Sequence, residues 1–431
     1  ETSLKITSER NMDFTAVGGS GKILYTIDDN VDELLPDATP SAAWITDINV
    51  EAESIDFKVE KNSSTSKRTG SIDVTFEGQK VTVKVIQAGA ANELELVASS
   101  KNVRVGEPLS FIVIFNAEDV TAESKIYDYN THEEVSNPIT YDQMGEYVYY
   151  AQYNGKRSRV LTINVVPAAT PDFVADTEPD NFNFNHRTLI INHTGVDCPN
   201  CPGMKQMLKE MSEDPYYNGS INIIYSHSYT SSGMCYSEDN SIFKSYFKEV
   251  CKTSYMPFSG YPSATYNLQH DFCAGTTTVK SQTDVVRKDI AEAAVSIASV
   301  IDGDNLIISA ELKTSVTQSY RIAVWMLEDG IKESQYGATE SWMNEHHDVI
   351  RYSLTPISSS DISGLDWGYL LANETSRKVF ELPMKSNASW NVDNMKFIVV
   401  LSAPSKEHDN KYEVVYTTMC EIGQNRPIEY K

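Results

Sequence analysis

The segments Ser54–Glu60, Gly70–Phe76 and Lys80–Gln87 alternate apolar and polar residues with a period of two. Successive side chains on a strand point to opposite faces, so each segment has one apolar and one wet face. An antiparallel sheet buried on one side satisfies that pattern. Gly78 supplies the turn between the last two segments. Further along, Leu109–Phe115 reads as a buried strand, and Gly145–Gln152 and Val160–Val165 as two more. Strand patterning returns at Leu306–Leu312, Tyr320–Met326 and Lys396–Leu401. A chain of 431 residues with strands at both ends reads as several β domains in a row.

The middle of the chain breaks this rhythm. The apolar run Thr188–Asn192 leads into Cys198-Pro199-Asn200-Cys201. After it, Met204, Met207, Leu208 and Met211 fall at i, i+3, i+4 and i+7, one face of a helix. Two thiols therefore stand where a strand hands over to a helix. Unpaired N–H groups and partial positive charge at a helix start favour thiolate over thiol. The reading places Pro199 at the first helical position, Cys198 at the helix start and Cys201 one turn inside. A Cys with a lowered pKa is the better nucleophile at neutral pH. Sixty-four positions after Cys198, Tyr261-Pro262 opens an alternating strand, which suits a cis peptide.

These residues resemble the thioredoxin superfamily, in which C-x-x-C at the first helix faces a cis-Pro that begins a strand. The resemblance implies that Cys198 attacks, Cys201 resolves, Pro262 is the cis-Pro, and the Tyr261 backbone aligns a partner chain. Asp197 stands where family members often carry Trp, and its carboxylate opposes thiolate formation. Asn192 stands where a buried acid is common. The long spacing to Pro262 implies an insertion at about 227–259, where Ile242, Phe243, Tyr246, Phe247 and Val250 mark a helix. Ile221–Tyr225 reads as a strand. A further helix is expected over 284–300, from Val286, Ile290, Ala293, Ile297 and Val300 on one face, with Asp302-Gly303-Asp304 ending it.

Trp44-Ile45, Asn62, Arg68-Thr69-Gly70 and the ending Gln87-Ala88-Gly89 resemble the BACON domain, a small β-sandwich of exported bacterial proteins. That likeness implies glycan contact or a spacer role. Gly145–Gln152, with Tyr147 after a turn, is similar to the penultimate strand of an immunoglobulin-like sandwich. Thr194, Gly195, Cys198, Cys201 and Pro202, followed by His347, Val349 and Arg351, resemble the outer membrane protein 28 family, whose members are exported and often lipoproteins. The expected architecture is multidomain β and α/β. It comprises a BACON-like β-sandwich at 1–90, an Ig-like β-sandwich at 91–168, a thioredoxin-like domain at 172–301 and a C-terminal β-sandwich at 302–431.

All six Cys lie in the second half, an even and clustered count that fits an oxidising compartment. Beyond the C-x-x-C, Cys235, Cys251, Cys273 and Cys420 allow three pairings. Cys235–Cys251 would staple the insertion and Cys273–Cys420 would tie two domains. The alternative is four buried thiols. No second C-x-x-C or H-x-x-x-H completes a zinc set, so no metal and no cofactor is expected. His346 and His347 point to opposite faces of a strand and read as loop histidines.

A net charge of −24 argues against nucleic acid and anionic membrane surfaces. No apolar run is long enough to span a membrane. Glu1 opens inside a polar segment, so an export signal is expected to have been removed, and a lost N-terminal lipid anchor would tether the chain. The expected location is the outer membrane surface or periplasm of a Gram-negative bacterium. Two functions stay open: a thiol-disulfide oxidoreductase acting on protein thiols or disulfides, and a non-enzymatic cell-surface protein binding glycan or protein with a structural C-x-x-C.

Overall fold

The computed structural model describes residues 3–28, 34–91, 93–253, 258, 260–268, 273–406, 409 and 411–431. Residues 254–257 and 259 of the expected insertion lie outside the described residues. The described chain is mostly β, with several sheets and three α-helices. It divides into two compact units. One is Glu1–Thr170 with Ala175–Asp180, the other Pro171–Val174 with Asn181–Lys431.

The first unit holds two cores. In one, Ser3–Ile6, Gly19–Asp28, Ser54–Val59 and Ile45–Val50 make one sheet, and Asn11–Phe14, Gln79–Gln87, Arg68–Phe76 and Asp37–Pro40 a second. Ile55, Phe57 and Val59 from the first meet Ile72, Val74, Val83 and Val85 from the second, the inward halves of the alternating segments. The turn expected at Gly78 joins Phe76 to Gln79, with φ of 46° at Glu77 and 82° at Gly78. The second core gathers Phe111, Val113, Tyr149, Ala151, Ile163 and Val165. The Tyr147 hydroxyl donates back to Gln143 O at 3.1 Å, bracing the turn that precedes its strand.

The second unit is built on one nine-stranded sheet. In order, it runs Cys273–Ala274, Ser263–Tyr266, Thr188–Thr194, Ile221–His227, Val349–Ser353, Gln318–Glu328, Met395–Pro404 and Tyr412–Glu421, with Leu365–Leu370 also pairing Gln318–Glu328. Strands from the middle of the chain and strands from its end thus share a sheet, joined at Tyr225↔Val349. Gln318–Glu328 shows why both faces are dry. Tyr320, Ile322, Val324 and Met326 enter a core with the second sheet of this unit, Thr375–Pro383, Asn305–Thr314, Ala293–Asp302 and Asn425–Arg426. Ala323, Trp325 and Leu327 face the helix Glu238–Val250 on the other side, where Phe243 meets the Trp325 ring edge-on at 4.8 Å.

The helix expected over 284–300 does not form. A helix occupies Val279–Val286, and Ala293–Asp302 is a strand paired along its whole length with Asn305–Thr314. Val295, Ile297 and Val300 are β-branched and favour a strand whenever a partner lies alongside. Asp302-Gly303-Asp304 is the hairpin turn that brings that partner back, with Gly303 at φ 57°. The boundary expected at 301–302 falls inside this hairpin. The helix expected within the insertion forms as Glu238–Val250 and lies on the shared sheet: Asn240 Nδ2 donates to Ile350 O at 3.2 Å, and Ser353 N–H to Asp239 Oδ2 at 2.7 Å.

Candidate functional site

Strand Thr188–Thr194 gives way to a loop at Gly195, and helix Cys201–Glu213 begins after it. Ile190 on this strand and Met204, Leu208 and Met211 on the helix share a core, which fixes where the loop 195–200 must cross. Cys198 and Cys201 are joined in a disulfide. The helix starts at Cys201, with Pro202 rather than Pro199 in its first turn. Cys201 therefore sits at the helix start, and Cys198 lies ahead of it in a turn closed by Cys201 N–H donating to Cys198 O. Pro202 explains the later start. Its missing N–H is harmless only within the first turn of a helix.

Both cysteines are 1% exposed. A segment far along the chain clasps their loop. The Gln335 amide nitrogen donates to Gly195 O at 3.2 Å, Val196 O at 3.0 Å and Cys198 O at 3.3 Å. Tyr336 N–H donates to Val196 O at 2.7 Å. Gly337, at φ 76°, brings its backbone so close that a β-carbon there would stand 3.0 Å from Pro199 O. On the other side, a β-carbon on Gly195 would stand 2.4 Å from Tyr229 Cβ. The Tyr229 ring meets Tyr261 edge-on at 5.3 Å. Asp197 is bonded by the Thr230 hydroxyl at 3.1 Å.

The Tyr261–Pro262 peptide is cis. Strand Ser263–Tyr266 runs antiparallel to Thr188–Thr194, and the last pair is His193↔Ser263. Pro262 and the C-x-x-C loop therefore leave the sheet at the same end. The Tyr261 hydroxyl donates to Ser228 O at 2.7 Å. Asn192, six residues before Cys198, is buried with neither amide atom hydrogen-bonded.

The other cysteines do not pair as expected. Cys235, Cys273 and Cys420 are free thiols, so neither Cys235–Cys251 nor Cys273–Cys420 forms. The sheet explains the second failure, because Cys420 points into the core between the two sheets and Cys273 into the helix side. Cys420 Sγ instead lies 3.2 Å from Glu421 O and 3.3 Å from Gln424 O, either of which can accept its one proton, and burial pushes its thiol up to about 11. Cys251 and Cys273 lie in one core, and their side chains are hydrogen-bonded to each other.

No metal set is readable in the sequence, yet the fold brings His227, Cys235 and His346 together. Positions 227, 235 and 346 share no motif spacing. Only the docking of Glu345–His346 beside the end of strand Ile221–His227 unites them. Burial, then His346, Lys205 and Arg351, hold the His227 imidazole well below its ordinary range, and burial with Lys205 lowers His346 to about 4. Next to them opens a pocket of about 320 Å³ lined by Lys205, Lys209, Tyr225, Trp342, His346 and Asp348. Lys205 and Lys209 lie over the Trp342 ring at 5.8 and 5.5 Å, and burial pulls Lys205 down to about 8.

Fold and site together define a β-rich, multi-sheet protein with one clasped disulfide loop at a strand-to-helix junction. Residues 251–424 match the family described as Outer membrane protein Omp28, so the chain carries an Omp28 region there. That region begins at Cys251, and the C-x-x-C precedes it. No curated protein matches the chain. Among solved structures it is similar to HBP35 of Porphyromonas gingivalis, with 14% identity and TM-score 0.44 over 57% of this chain and 78% of that one. It is also similar to domains 4–9 of surface layer protein SbsC, with 7% identity and TM-score 0.24 over 97% and 65%. A Bacteroides ovatus GH5 xyloglucanase is similar at 16% identity and TM-score 0.18 over 32% and 30%. No helix among the described residues is long and apolar enough to cross a membrane.

Proposed function

We propose that this is an exported, outer-membrane-associated binding protein in which the Cys198–Cys201 disulfide is a structural clasp. The Omp28 region supports the location. The 1% exposure of both cysteines, beneath a loop held by Gln335, carries the structural reading. A partner disulfide must reach an attacking sulfur in line, and a buried pair offers no such approach. The pocket under Trp342 gives binding a location, with an aromatic face and convergent polar groups, and its volume suits a small polar ligand or one side chain of a protein. The BACON-like and Ig-like readings of the N-terminal sandwiches add glycan or protein contact.

The second reading, thioredoxin-like exchange by Cys198 and Cys201 on protein disulfides, is favoured by the cis Tyr261–Pro262 bond at the same end of the sheet. One experiment separates the two. The native chain is treated with dithiothreitol, and newly exposed thiols are trapped with iodoacetamide, with and without denaturant. The structural reading expects labelling of Cys198 and Cys201 only on unfolding. It also expects the double Ala variant to lose about 2 kcal/mol of stability, the worth of closing so short a loop. Rapid labelling of Cys198 in the native chain, faster than free cysteine near neutral pH, would instead establish exchange.

A further inference from the structure

His227, Cys235 and His346 take no part in the clasp, and their arrangement has the features of a ligand set. His227 ends the strand Ile221–His227, Cys235 follows on the next loop, and His346 ends the short strand Glu345–His346. One donor atom from each lies within 4.8 Å of the others. The three residues are at most 3% exposed. The imidazole rings meet edge to face, with centroids 5.0 Å apart. We propose that His227, Cys235 and His346 bind one thiophilic transition-metal cation of the Zn²⁺ or Cu⁺ type, with a further position open to water or ligand.

The donor set selects the class of ion. One thiolate and two imidazoles suit Zn²⁺ and Cu⁺, whereas Mg²⁺ and Ca²⁺ want oxygen ligands. Three protein ligands leave an open position on a tetrahedral ion.

Each ligand is prepared by its surroundings. His227 Nδ1 is buried with no hydrogen-bond partner. Such an atom costs about 1–3 kcal/mol unless something occupies it. His346 Nε2 lies 3.1 Å from Glu333 O. A carbonyl only accepts, so Nε2 carries the proton and Nδ1 presents its lone pair. A ring N–H donating to a backbone carbonyl is the usual support behind a metal-bound imidazole. Cys235 is held from two sides. The Glu333 carboxylate accepts from Met234 N–H and Cys235 N–H, both at 2.8 Å, and Arg351 Nη1 donates to Met234 O at 2.5 Å. Arg351 is itself fixed by Glu328 at 2.6 Å. The Arg351 of the H-x-V-x-R segment thus serves this loop.

The structure also shows what the ion must displace. Lys205 Nζ lies 3.3 Å from His346 Nδ1. Its bonds to Met343 O at 2.6 Å and Glu345 O at 2.9 Å remain when it yields that nitrogen. Uptake exchanges the Cys235 thiol proton for the metal–sulfur bond. The proton leaves to water and no electron moves. His346 and Lys205 line the pocket, which gives the ion a way in.

The test uses the full chain, stripped with EDTA and kept without reductant so that Cys198 and Cys201 stay disulfide-bonded. Co²⁺ serves as the spectroscopic probe and Zn²⁺ as competitor. The expected result is one equivalent of Co²⁺ with a thiolate-to-cobalt charge-transfer band, both abolished by Zn²⁺. Cys235→Ser should lose the band while keeping its circular dichroism, and His227→Gln should weaken binding at least about tenfold. Absence of a saturable thiolate band in the wild-type chain overturns the proposal whatever the variants do. So does a band that persists in Cys235→Ser. Cobalt bound without a thiolate band marks a surface carboxylate site and overturns it equally.

Discussion

Gln335 braces the loop that carries the buried disulfide. Its one amide nitrogen lies within hydrogen-bond distance of three carbonyls of the C-x-x-C loop. Leucine has similar volume and no donor. Gln335→Leu is therefore expected to destabilise the chain by about 0.5–1.5 kcal/mol, the net worth of a lost hydrogen bond, because Cys198 N–H, Tyr336 N–H and Cys201 N–H still donate to the three carbonyls. The same variant should let dithiothreitol reduce Cys198–Cys201 faster in the native chain. Equal reduction rates in the two proteins would show that this segment does not shield the sulfurs. Little of this was legible beforehand. The two cysteines and Pro262 could be read because they lie in local motifs whose chemistry depends on short spacing. Gln335 lies 137 positions beyond Cys198, in a stretch with no periodicity, and only tertiary packing gives it a role. The same holds for Cys235, whose neighbours His227 and His346 end two strands, the second far along the chain.

At the scale of elements, the hairpin Ala293–Asp302 with Asn305–Thr314 shows where periodicity misleads. Val286, Ile290, Ala293, Ile297 and Val300 fit a helical stripe, yet Ala293 through Ser299 are all buried, as in a strand covered on both faces. A continuous apolar run does not distinguish the two, and the partner strand decides. The one-sided strands of the first unit were readable because a wet face leaves a clean alternation. The hairpin turn rests on Gly303 at φ 57°, where an added β-carbon would meet nothing within 4 Å. Gly303→Ala should accordingly cost about 1–2 kcal/mol, the backbone penalty of a left-handed residue with a side chain and no steric term. Denaturant unfolding measures it. A loss well beyond that range would mean the turn also nucleates the pairing of the ten-residue strands.

For the molecule as a whole, buried histidines set an acid limit, and His186 and His193 are two of them. Burial pushes His186 down to about 4 and His193 to about 3. Below the ordinary imidazole range near pH 6.5, the unfolded chain takes up protons that the folded chain refuses. The unfolded state then binds more protons, so stability rises with pH across this window and falls as pH drops toward 4. Each histidine contributes on the order of 3 kcal/mol by the bottom of the window. Denaturant unfolding at about pH 7 and about pH 4.5 should show the loss, and His193→Gln should lessen it. The variant isolates this effect from the easing of self-repulsion as a chain of net charge −24 is neutralised. A variant that loses as much stability as the wild type would remove His193 from the account. The shared sheet also bears on how the Omp28 region relates to a folding unit. A fragment cut to residues 251–424 would lack Thr188–Thr194, the partner of Ser263–Tyr266, and Ile221–His227, the neighbour of Val349–Ser353. It would also lack the helix that covers Trp325, Ile398 and Val400. Left with raw strand edges and a bare apolar face, such a fragment would associate with its own copies. The stretch that matches the family is thus smaller than the unit that covers its own sheet.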